Sequence, residues 1–160
     1  MKKGMMWALF AVFLLTLTAC SNNRETKIEP KVTVKEMAEQ LLIQVEQPAF
    51  MELEEVQVKE SYYINPNLLE EYIIQMPLMN VTSNELSILK LKDKKDLETV
   101  KSALEKRAAD AIRNFENYLP DQYENAKNYK IVTNGNYMLF VISEESEELI
   151  KHFNAFFSNK

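Results

Sequence analysis

Tyr129-Lys130-Ile131-Val132-Thr133-Asn134-Gly135-Asn136-Tyr137-Met138-Leu139-Phe140-Val141-Ile142 reads as two strands and the turn between them. Tyr129 to Thr133 and Tyr137 to Ile142 are rich in β-branched and aromatic residues, which suit a pleated, packed surface. Between them, Asn134-Gly135 supplies two residues that accept positive φ, as a two-residue hairpin turn demands. Strands joined this tightly are antiparallel neighbours.

Upstream lies the clearest helix. Leu97, Val100, Leu104, Ala108, Ala111, Phe115 and Tyr118 recur at alternating spacings of three and four, while Lys101, Glu105, Lys106 and Arg113 fall mostly off that stripe. Asp93 or Asp96 can cap its start, and Pro120 follows its end. The heptad run is too short for a coiled coil, so the stripe is expected to pack on a sheet. Tyr72 to Met76 and Glu85 to Lys92 supply two more strands. The second sets Leu86, Ile88 and Leu89 or Leu91 against Ser87, Lys90 and Lys92. Asn80 to Asn84 is the loop between them.

Nearer the N-terminus, Thr33-Val34-Lys35-Glu36 matches a capping box, and Val34, Ala38, Leu41, Leu42 and Val45 follow at helical spacing until Pro48. Phe50 to Val58 fits a strand or a helical turn equally. Ser61 to Ile64 reads as extended, and Asn65-Pro66 as a helix start. At the other end, Ser143 is expected to cap a last helix with Leu149, Ile150, Phe153, Phe156 and Phe157 on its apolar face. Residues 33–160 thus predict one α+β domain: an antiparallel sheet of four to five strands with helices packed on one face.

What precedes residue 33 is of another kind. Lys2 and Lys3 give a basic start, Met5 to Leu17 an apolar core, and Leu17-Thr18-Ala19-Cys20 a short run into the only cysteine. A spanning helix needs about 18–20 apolar residues, more than this run holds. An ordinary secretory signal has no use for cysteine at the cut. The pattern predicts a lipoprotein signal peptide over residues 1–19, cleavage before Cys20, and lipidation of Cys20. Residues 20–32 are polar and aperiodic and read as a tether, which at about 12 residues averages roughly 20 Å. The expected location is the outer face of a Gram-positive cell membrane, held by lipid.

Charge and cysteine count exclude several classes. The chain carries 19 basic and 24 acidic residues. Loss of Lys2 and Lys3 with the leader shifts the net charge from −5 to −7. A domain of that sign suits neither nucleic acid nor anionic polymers. With Cys20 lipidated, the mature chain keeps no thiol for nucleophilic catalysis, redox chemistry or thiolate metal sites.

Four stretches carry a resemblance: Asn84-Glu85-Leu86-Ser87-Ile88-Leu89-Lys90, Leu104-Glu105-Lys106-Arg107, Phe115-Glu116-Asn117-Tyr118-Leu119-Pro120, and Gly135-Asn136-Tyr137-Met138-Leu139-Phe140-Val141-Ile142. Through them the chain, from about Thr33 to its end, resembles bacterial lipoproteins carrying the domain of unknown function numbered four-three-five-eight, common in Bacillota. The resemblance implies an extracytoplasmic lipoprotein and brings no known activity or cofactor.

The remaining polar residues are weighed by chemistry. His152 is the sole histidine and reads as a helix-edge residue favoured by the C-terminal dipole. Met76 and Met79 offer soft thioethers, but beside an apolar strand they read as core filler, so no metal site is expected. Asn80-Val81-Thr82 matches a glycosylation sequon by chance. Glu54-Glu55, Glu70-Glu71, Glu144-Glu145 and Glu147-Glu148 read as solvated surface rather than as an acid–base pair. Glu85, Arg107 and Tyr118 stand apart. Arg107 sits beside Ala108 on the long helix's stripe, where it can pair with Glu85 or hold an anionic ligand. These three form the candidate polar site or structural ion pair, with no catalytic residue and no cofactor assigned. The functional expectation is a non-enzymatic binding or scaffold module that meets an envelope protein or a small ligand. The exposed Tyr62-Tyr63 pair and the Asn80 to Glu85 loop are its expected contact regions. The rival is a small envelope hydrolase using a carboxylate such as Glu85.

Overall fold

Every residue of Tyr137 to Ile142 is buried. A strand with no wet face belongs in the middle of a sheet covered on both sides. The computed structural model describes residues 29–158. Within them the chain runs α1 (Val34–Gln44), β1 (Phe50–Glu52), α2 (Glu55–Tyr62), a 3-10 turn (Pro66–Leu68), β2 (Leu69–Pro77) and β3 (Glu85–Leu91), then a second 3-10 turn (Lys94–Asp96). It continues as α3 (Leu97–Phe115), α4 (Pro120–Lys127), β4 (Lys130–Asn134), β5 (Tyr137–Ile142) and α5 (Ser146–Ala155). The five strands form one antiparallel sheet in the order β1-β2-β3-β5-β4. The fold is therefore α+β, as the residue patterns indicate.

The register of the two central strands sorts the core into two halves. Leu86 lies opposite Val141 and Ile88 opposite Leu139, while one residue along, Ser87 faces Phe140 and Leu89 faces Met138. The first set packs under α1 and α5, through Val34, Met37, Leu41, Leu149 and Phe153. The second packs under α2, α3 and α4, through Val58, Tyr62, Leu104, Ala108 and Ala126. Helices on one face was the expectation, and the structure corrects it to helices on both. The reason is visible in β3, where Leu86 and Ile88 at one parity and Leu89 and Leu91 at the other are all buried. That is the pattern of a strand with no polar face.

The hairpin forms, shifted by one residue. Asn134 pairs with Tyr137, so Gly135-Asn136 is the turn. Gly135 holds φ +68, and Asn136 is not among the positive-φ residues. Glycine at the first central position is the second of the two common hairpin solutions. Asn136 is committed elsewhere: its amide donates to the Leu91 carbonyl at 2.8 Å, and its own carbonyl accepts from the Leu91 N–H at 2.8 Å. The turn is thereby tied to the end of β3. Gly135→Val is expected to destabilise by about 1–2 kcal/mol, the left-handed penalty of a β-branched residue. A Cβ there meets nothing within 4 Å, so the cost is backbone strain alone. Gly135→Asn should lose only a few tenths, since asparagine tolerates that conformation. Urea midpoints that fall equally in both variants would refute the strain argument.

Other segments differ in instructive ways. The Thr33 capping box is present in full. Ser61 to Ile64 is not extended: α2 runs to Tyr62, closed by Tyr63 in the left-handed region at φ 60. Tyr63 is held there by α3, its hydroxyl donating to Asp110 and its ring lying 3.5 Å under the Lys106 ammonium. Asp93 caps the 3-10 turn rather than α3 itself. Pro120 does more than end α3, since it opens α4 at the first helical position. The Ser143 hydroxyl accepts from the Glu145 N–H at 3.1 Å, one turn ahead of α5.

The leader, Cys20 and the tether up to residue 28 lie outside the described residues. The last part of the expected tether is already docked: Glu29 accepts from the Tyr137 hydroxyl at 3.0 Å and meets Lys90 at 3.2 Å. Among the described residues, no helix is long and apolar enough to cross a membrane.

Candidate functional site

Arg107 follows from the helical repeat. Leu104, Arg107, Ala108 and Ala111 share the buried face of α3, so the stripe contains a guanidinium. Ala108 and Ala111 are small enough to leave room for its long stem. Glu85 opens β3 with the parity of Ser87 and Leu89, which turns its carboxylate toward α3. The two side chains meet. Arg107 Nε donates to Glu85 Oε1 and Oε2 at 3.1 and 3.0 Å, and Nη2 donates to Oε1.

A third residue completes the cluster. Tyr62, the last residue of α2, is 0% exposed. Its ring packs edge-on to Phe140 at 6.1 Å, and its hydroxyl donates to Glu85 Oε2. Ser87 donates to the Tyr62 oxygen at 3.4 Å. The Arg107 guanidinium lies 5.4 Å from the Tyr62 ring centre. Burial, helped by the negative Glu85, pushes the Tyr62 hydroxyl well above the ordinary tyrosine range. Burial also works against the charge on Arg107, but the Glu85 hydrogen bonds and charge outweigh it and raise its pKa. The tyrosine is thus a fixed donor and the arginine a fixed cation.

Above this pair lies a cleft of about 400 Å³, between the β2–β3 connection and the second half of α3. Thr82 and Ser83 line one wall, Asn114 and Phe115 the other, and Tyr118 stands at the mouth. The expected trio of Glu85, Arg107 and Tyr118 therefore shares one cleft. Tyr118 is not part of the buried stripe, however. It lies beyond the end of α3 and is 61% exposed. Leu78, Met79 and Val81 on the connection are also exposed. The connection is anchored at its base: the Ser83 N–H donates to Gln122 Oε1 at 2.8 Å, and the Asn84 amide to Gln47 Oε1 at 3.0 Å. Asn125 donates to the Ser83 hydroxyl at 3.0 Å.

Among the described residues, Glu85 is the only carboxylate lining the cleft. Its oxygens already accept from a guanidinium and a phenol, so the arrangement offers a neutral, hydrogen-bonding floor rather than a spaced acid–base pair.

The other candidates fall elsewhere. Tyr62 is buried, which corrects its place in an exposed aromatic pair; only Tyr63 reaches the surface. His152 pairs with Glu148 at 3.0 Å on α5. Met76 packs against the core while Met79 is exposed, and no group of three or more His, Cys, Asp or Glu residues fit for a metal occurs among the described residues. Glu70, Glu147 and Glu148 meet Lys90, Lys130 and Lys151 at the surface. Tyr62 and Ser87 are the members of the buried cluster that sequence reasoning missed. One signal was available: a serine at a strand position flanked by Leu86 and Ile88, with Leu89 sharing its own face.

The family described as a domain of unknown function, DUF4358, matches residues 44–143. That span holds the whole sheet, α2, α3, α4 and every residue of the cluster and cleft, and leaves α1 and α5 as flanks. No curated protein and no solved structure matches the chain.

Proposed function

The chain belongs to the DUF4358 family, and from that premise we propose that it is a lipid-anchored extracytoplasmic module that binds a partner or ligand without catalysis. The observation that carries the reading is the engagement of Glu85. The carboxylate on which a hydrolase would rest accepts from Arg107 and Tyr62, and among the described residues no second carboxylate lines the cleft. What remains in the cleft recognises rather than reacts: amides, hydroxyls and an exposed ring.

The anchor rests on Lys2, Lys3, the apolar Met5 to Leu17 run and Cys20. The fold suits an anchor on geometric grounds. Glu29 meets Lys90 and Tyr137, whereas the cleft lies at Glu85, the opposite end of β3. Five residue steps along a strand cover about 17 Å. A domain tethered near Lys90 presents the cleft away from the bilayer. One acyl chain holds a protein only marginally, while the two chains of a diacylglyceryl group, at about 0.8 kcal/mol per buried CH₂, hold it firmly.

Palmitate labelling is expected for the wild type and absent for Cys20→Ala; equal labelling removes the anchor from the reading. Crosslinking and pull-down from native membranes should then recover a partner or ligand. Turnover of a wall substrate by purified protein, stopped by Glu85→Gln, would replace the module with the hydrolase.

A further inference from the structure

We propose that the cleft above Glu85 and Arg107 takes a neutral oligosaccharide. The inference rests on the binding-module reading and names the ligand class.

Charge comes first. Among the described residues, Glu85 and Arg107 are the only formally charged ones lining the cleft, and each neutralises the other. An anion finds its arginine already matched, and a cation finds its carboxylate already matched. A wholly apolar ligand would cover the exposed amides of Asn80 and Asn114 without offering them a partner in place of water. An extended peptide that recognises by strand addition needs a free sheet edge. Here β2 is paired with β1 over Gln75 to Pro77, so the cleft lies over a face and not along an edge.

A neutral sugar meets each of these conditions. Its hydroxyls, and any acetamido group, donate and accept without adding charge. Asn80 and Asn114 are exposed at the cleft, and each amide offers two donors and an acceptor. Arg107 spends Nε and Nη2 on Glu85, and among the described residues its Nη1 has no protein acceptor. That leaves a rigid donor for a ligand oxygen. The C–H faces of a pyranose are apolar, and Tyr118 at the mouth supplies an exposed ring for them to stack on. A volume of about 400 Å³ lies in the ordinary range of small-molecule sites.

Saturation-transfer NMR tests the proposal, using the full chain in dodecylphosphocholine micelles, a sugar-free detergent. The probes are chitotetraose and, for comparison, an uncharged blocked tetrapeptide. Transfer is expected to the ring C–H protons of chitotetraose and not to the peptide. Tyr118→Ala should weaken saccharide affinity about tenfold, the worth of one well-stacked ring. Its side chain is exposed, so circular dichroism should show the fold retained. Absence of transfer to chitotetraose, or affinity unchanged in Tyr118→Ala, overturns the proposal. Transfer to the peptide instead, lost in Tyr118→Ala, overturns the ligand class while the module reading stands. Turnover of a wall substrate by the wild type, stopped in Glu85→Gln while circular dichroism shows that variant folded, overturns both. Failure of Cys20 to take palmitate touches the anchor alone.

Discussion

Arg107→Leu is expected to cost about 3–5 kcal/mol of folding stability, because it strands the nearly buried Glu85 carboxylate without its cation at the floor of the cleft. The Glu85 side chain is 3% exposed, so little water reaches it in exchange. Replacing both partners, Glu85→Leu with Arg107→Leu, removes the charge and its need for a counter-charge together, so it should cost far less than the two single changes added. Tyr62→Phe should be the mildest of the series, at about 1–2 kcal/mol, since it removes one donor and leaves the arginine in place. Urea unfolding of the four variants measures the series. Additive losses in the double variant would mean that Glu85 and Arg107 do not act as a unit. That would also undercut the neutral-floor argument for the cleft, which depends on the pair holding together.

The sequence made some elements legible and hid others for physical reasons. The α3 stripe and the Thr33 capping box were readable because each is a local pattern that only one backbone geometry satisfies. The second covered face was not, because Ser87 and Lys90 gave β3 the alternation of a half-wet strand. Ser87 is in fact buried against Tyr62, while Lys90 reaches its edge to meet Glu70 and Glu29. The shift of the turn to Gly135-Asn136 was hidden too, since Asn136 is fixed by Leu91, a partner 45 residues away. Of the candidate site, Glu85 and Arg107 could be suspected from one polar residue beside an apolar stripe. Tyr62 could not: its burial depends on α2 ending against the sheet, and Ser61 to Ile64 carries no local sign of that helix.

The face of α3 is itself open to a direct test. Leu104→Ala is expected to destabilise by about 2–5 kcal/mol, the transfer cost of the lost methyl groups plus the cavity they leave. Leu104 is fully buried and belongs to the same cluster as Phe140, Leu89 and Met138. Neighbouring Ala108 and Ala111 are too short to fill the void, and Arg107 is held in place by Glu85. Collapse of the site is therefore limited, which favours the upper half of that range. Lys101, three residues earlier, is half-exposed and meets Glu105 at 3.9 Å. Surface pairs of that kind contribute about 0.3–0.5 kcal/mol, so Lys101→Ala should shift stability by no more than about 0.5 kcal/mol. The contrast between two positions one helical turn apart reports on orientation and not on helix propensity, because both variants end in alanine. Comparable losses at the two sites would mean that α3 does not present Leu104 to the sheet. Arg107, one turn further along the same face, would then lose its path to Glu85.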